Sequence, residues 1–227
     1  MLWADLTIQD FMKKDGWIQS DTMTSAQRTF NYSVESIIEN EDELKYRRSF
    51  GNGRNNVSDT YCVALYARNP ESFKNRIMKV PGEESFLNLY HSLGNYIAVP
   101  SLFNSARSGN YASHDYWDLT MMKIREYYLC DNNEKIVDEL LHNKGDSQKC
   151  KAWLDYFDKG ETGWKAFVEL YFLQDYVDDN YVVIPFCQGH SWDHPQIDNC
   201  IEFFLNVSRI IYLRGKRMFE ACKTIKG

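Results

Sequence analysis

Ile201-Glu202-Phe203-Phe204-Leu205-Asn206-Val207-Ser208-Arg209-Ile210-Ile211-Tyr212-Leu213 is the stretch that decides the fold class. Ile201, Phe204, Leu205, Ile210, Ile211 and Leu213 recur at helical spacing, which predicts a long apolar helix over roughly 196–224. The segments before it read the same way. Helices are predicted near Glu134–Leu141, Gln148–Phe157 and Trp164–Val177. Another covers Asp115–Tyr128, where Trp117, Leu119, Met121, Ile124, Tyr127 and Tyr128 supply the apolar positions. Asp115 and Asp118 fall in the first turn of that helix, where the dipole favours anions. Only Tyr96-Ile97-Ala98-Val99-Pro100 and Tyr181-Val182-Val183-Ile184-Pro185 read as extended. In the first, Pro100 pushes Val99 out of helical geometry. Two such short pieces cannot build a doubly wound sheet. The expected fold is mainly α, a compact helical domain with at most a small two- or three-stranded sheet.

Toward the N-terminus, Phe30, Val34, Ile37, Ile38 and Leu44 again recur at helical spacing. Gly51-Asn52-Gly53-Arg54-Asn55-Asn56 breaks that pattern, because paired glycines and asparagines favour turns. This places an N-terminal helical segment at 1–56 and a main helical domain at 57–227, with one continuous domain as the alternative. Ser58 is positioned to cap the next helix. Pro81-Gly82 opens a short helix carrying Phe86, Leu89 and Tyr90, which Gly94 would end. Residues 104–113 read as a polar loop.

The 227 residues are 44% hydrophobic and 26% charged, the balance of an ordinary globular chain. Aromatic residues reach 15%, enough for a ring-rich core and for a binding face besides. The net charge of −6 argues against a surface built to wrap nucleic acid. Charge is uneven, however. Residues 155–179 hold seven acids and two bases, and 209–226 hold six bases and one acid, so the two segments are expected to neutralise one another. No stretch is apolar enough for a membrane span, and the first ten residues lack the pattern of a secretion signal. The six cysteines contain no Cys-x-x-Cys pair, so reduced and mostly buried thiols in the cytoplasm are expected.

Chemistry-bearing motifs are sparse. Walker A, Gly-x-Gly-x-x-Gly, His-Glu-x-x-His and Gly-x-Ser-x-Gly are all absent. Cys187, His190, His194 and Cys200 supply four zinc-type ligands within 14 residues, although Pro195 interrupts them. Asp175, Asp178 and Asp179 could hold magnesium or form a solvated acidic turn. No cofactor is expected, with zinc or magnesium at these places as the alternative. Arg107-x6-His114 is similar to the Arg-x(4–6)-His pattern of a class of helical ribonucleases. Such a pair would supply a general base and a cation for the phosphorane. The structural alternative has Arg107 paired with Asp115 or Asp118 to tie the loop to its helix.

Three further runs carry a resemblance: Leu93-Gly94-Asn95-Tyr96 through Pro100, Asn104-Ser105-Ala106-Arg107, and Asp115-Tyr116-Trp117-Asp118-Leu119-Thr120-Met121. With Phe172–Val177 and Ile211–Met218, they resemble a family of uncharacterised bacterial proteins over roughly residues 86–220. That family implies no activity. Leu93-Gly94-Asn95, Asn104-Ser105 and Ser108-Gly109-Asn110 are also similar to a segment of HNH-type nuclease domains. Those domains place a metal-binding histidine pair upstream, whereas here no histidine precedes His91.

The reading is a cytoplasmic, non-catalytic binding or regulatory protein acting on another macromolecule, protein or nucleic acid, with no membrane role. The alternative is a metal-dependent nuclease or phosphodiesterase using the Asn104–Asp118 loop. Its catalytic candidates are Arg107, His114, Asp115 and Asp118, and its binding candidates Asn95, Asn104 and Arg125. Asn104, Arg107, Asp115, Asp118 and Arg125 are expected to form one polar network.

Overall fold

The structure, a computed structural model, describes residues 18–20, 81–89, 92–100, 102–107, 117–131, 133–141, 145–186 and 197–225. Helix dominates them, as expected of a mainly α chain. The elements are β1 (Ile18–Ser20), α1 (Glu83–Leu89), β2 (Ile97–Val99), α2 (Phe103–Arg107), α3 (Trp117–Leu129), α4 (Asn133–Leu141), α5 (Ser147–Leu154), α6 (Glu161–Leu170) and α7 (Ile197–Ile225). Short 3-10 turns occupy Leu93–Asn95 and Gln174–Tyr176. The chain divides into two compact units. One comprises 1–24, 91–185 and 210–227, and the other 25–90 and 186–209. The boundary expected near residue 56 and the helices expected before residue 80 lie outside the described residues.

In the first unit the sheet is a two-stranded antiparallel ribbon, with Ile18 opposite Val99 and Ser20 opposite Ile97. Val177 and Val183 form only an isolated bridge, so the second extended piece does not become a strand. Helix α3 packs on α4 and α6, and α4 also packs on α5 and α2. Rings fill the space between them. Tyr128 meets Trp164 and Phe167, Trp153 meets Phe103 and Phe167, and Trp164 stacks on Phe167 at 6.0 Å. Their polar ends are matched as burial demands. Tyr128 Oη donates to the Leu154 carbonyl, Trp153 Nε1 to Tyr171 Oη, and Trp164 Nε1 to the Tyr181 carbonyl.

Two boundaries differ from expectation. Residues 104–107 are not loop but the turn of α2, because Phe103, Ala106 and Arg107 bury one side of it. The helix expected over 164–177 starts at Glu161 and stops at Leu170. Phe172 then takes a left-handed φ of 56° that no helix continues through. Gly94 does not end α1. It sits in the 3-10 turn at Leu93–Asn95, where a side chain would collide with the Ile211 carbonyl oxygen.

In the second unit α1 packs against residues of α7. Phe86 lies 6.4 Å from Phe203 and 5.5 Å from Phe204, and Phe186 lies 5.6 Å from Phe203. Asn206 Nδ2 donates to the Phe186 carbonyl. Gly82, at a φ of 87°, supplies the left-handed turn before α1 that Pro81-Gly82 announced.

Candidate functional site

Asn95, Arg107, Asp118 and Thr120, four polar residues of the family-like pattern, are buried in the first unit. Arg107 closes α2 with 1% of its surface exposed, and Asp118 and Thr120, in the first turn of α3, have none. Arg107 Nε donates to Asn104 Oδ1 at 3.0 Å, one helical turn back. Its Nη1 donates to Thr120 Oγ1 at 3.2 Å. The guanidinium carbon lies 5.0 Å over the Trp117 ring, where the π-face attracts a cation. Arg107 therefore ties α2 to α3 through Thr120 and the Trp117 ring. Asp115 and His114 lie outside the described residues.

A second buried arginine organises the same unit, and sequence reasoning missed it. Arg214 is 2% exposed on α7. Its Nη1 donates to the carbonyls of Leu93, Gly94 and Tyr96, at 3.2, 2.8 and 2.7 Å. Nε and Nη2 both donate to the Tyr171 carbonyl, at 3.1 and 3.0 Å. Burial pulls its pKa from the ordinary 12.5 down to about 10, which still leaves it charged at neutral pH. Four main-chain oxygens thus replace the water that a guanidinium normally keeps. The buried phenol of Tyr176 stands close enough to feel both Arg214 and Asp118. Burial raises its pKa, the arginine opposes that rise, and the aspartate adds to it. A signal for Arg214 was present. It is a charged residue one helical turn from Ile210 and Ile211, on the apolar face of the longest predicted helix.

Asn95 is fully buried in the 3-10 turn beside Gly94. Asn104 is half-buried under Arg107. Arg125 does not join this cluster: its nearest anion is Glu161, at 3.8 Å. Of the expected five-residue network, the Asn104–Arg107 link is present and Arg125 instead faces Glu161, while Asp115 lies outside the described residues.

The acidic trio disperses. Asp175 accepts a forked contact from Arg217, Asp178 Oδ1 accepts from the backbone N–H groups of Asn180 and Val182, and Asp179 points to solvent. The Asp175–Arg217 pair also joins the acidic and basic segments, as their charges anticipated. Among the described residues no three potential ligands converge as a metal site. Cys187, His190 and His194 lie outside those residues, as does the side chain of Cys200 on α7.

The described cysteines correct one expectation. Cys150 is buried, with burial pushing its thiol up to about 12, but Cys130 and Cys222 are exposed and free. Cys130 follows the last residue of α3 and Cys222 lies in the last turns of α7, and both are exposed. Iodoacetamide followed by peptide mapping should therefore label Cys130 and Cys222 in the folded protein. Cys150 should react only after denaturation, and its labelling in native buffer would contradict this arrangement.

No helix among the described residues is long and apolar enough to cross a membrane. Over residues 20–218 the chain matches the model of a family of unknown function, DUF6994. No curated protein and no solved structure matches it.

Proposed function

The chain belongs to DUF6994, and from that premise we propose that it is a non-catalytic binding or regulatory protein of the bacterial cytoplasm, acting on another macromolecule. The observation that carries this reading is the burial of two of the charged groups a nuclease would use, Arg107 and Asp118. Arg107 and Asp118 are 1% and 0% exposed, and Arg107 is already engaged by Asn104, Thr120 and the Trp117 ring. A general acid, base or phosphate clamp must reach its substrate. Side chains held this way serve the packing of α2 on α3. The exposed free thiols of Cys130 and Cys222 favour a reducing compartment.

The test is direct. Native protein and the Arg107→Ala/His114→Ala variant are incubated with RNA and with DNA, in magnesium and in manganese. The expected result is no cleavage above the buffer blank by either protein. Cleavage by the native chain that the double substitution abolishes would establish the metal-dependent nuclease in its place.

A further inference from the structure

We draw no further inference here: the strongest candidate, the side-chain cluster where α3 ends, with Lys159 Nζ 3.2 Å from the Tyr127 ring centroid and 3.2 Å from Asp155 Oδ1, is already paired within itself, and nothing in the structure shows a ligand or partner that it would take.

Discussion

Replacing Arg214 with methionine should cost on the order of 4 kcal/mol of unfolding free energy, a large share of a typical domain's stability. Methionine fills much of the same volume but donates nothing. The carbonyls of Leu93, Gly94, Tyr96 and Tyr171 then lose a donor whose own side chain is buried. A buried acceptor stripped of its partner costs roughly 1–3 kcal/mol, and three are involved, since the Leu93 carbonyl keeps the Tyr96 N–H. Relief from burying a cation offsets part of that sum, which is why the net falls below the simple total. Arg214→Lys keeps the charge but not the fork that spans the Leu93–Tyr96 turn and Tyr171, so it should fall between the native chain and Arg214→Met. Urea unfolding followed by fluorescence measures all three, and the midpoint should move with the slope unchanged. A loss below about 1 kcal/mol for the methionine variant would mean that the carbonyls find water or other donors.

Gly94→Ala should be comparably damaging, on the order of 4 kcal/mol. A methyl group at this position falls on the Ile211 carbonyl oxygen of α7. The obstacle is main chain rather than the end of a flexible side chain, so relief requires moving the Leu93–Asn95 turn off the helix. That movement would also pull two of the Arg214 acceptors out of reach. Gly215 provides the control. It faces Gly94 from α7, but a methyl there meets the Gly94 Cα at an ordinary 3.6 Å. Because alanine is the better helix former by about 1 kcal/mol, Gly215→Ala should be neutral or mildly stabilising. Opposite signs at two glycines that face each other, read as the difference in urea midpoint, distinguish backbone crowding from a general intolerance of this crossing. Equal losses at both would refute the assignment.

The two glycines and Arg214 show where sequence reading stops. Apolar spacing located α3, α4, α5 and α7 to within a few residues, because each buries a regular face. The same periodicity carried the Trp164 helix too far. Leu173, Tyr176 and Val177 are buried through a left-handed turn at Phe172 rather than through helical continuation. The run at 104–107 looked like loop because Asn104, Ser105 and Arg107 are polar. Only the three-dimensional neighbours Thr120 and Trp117 make burial of Arg107 favourable. The burial of Arg107 and Asp118 follows from reading them as a structural tie, whereas nothing in the sequence marks Asn95 as buried. Spacing along one chain cannot reveal that Arg214, some 120 residues downstream, donates to the turn beginning at Leu93.

If the buried charged residues of the family-like pattern hold shape, Arg107 is the side chain whose removal should show it. Arg107→Ala and native protein are compared by urea unfolding at neutral pH. The expected loss is about 3 kcal/mol, from two charge-assisted hydrogen bonds, a cation–π contact and the cavity left behind. A loss under about half a kcal/mol, the size of an ordinary surface substitution, would contradict it.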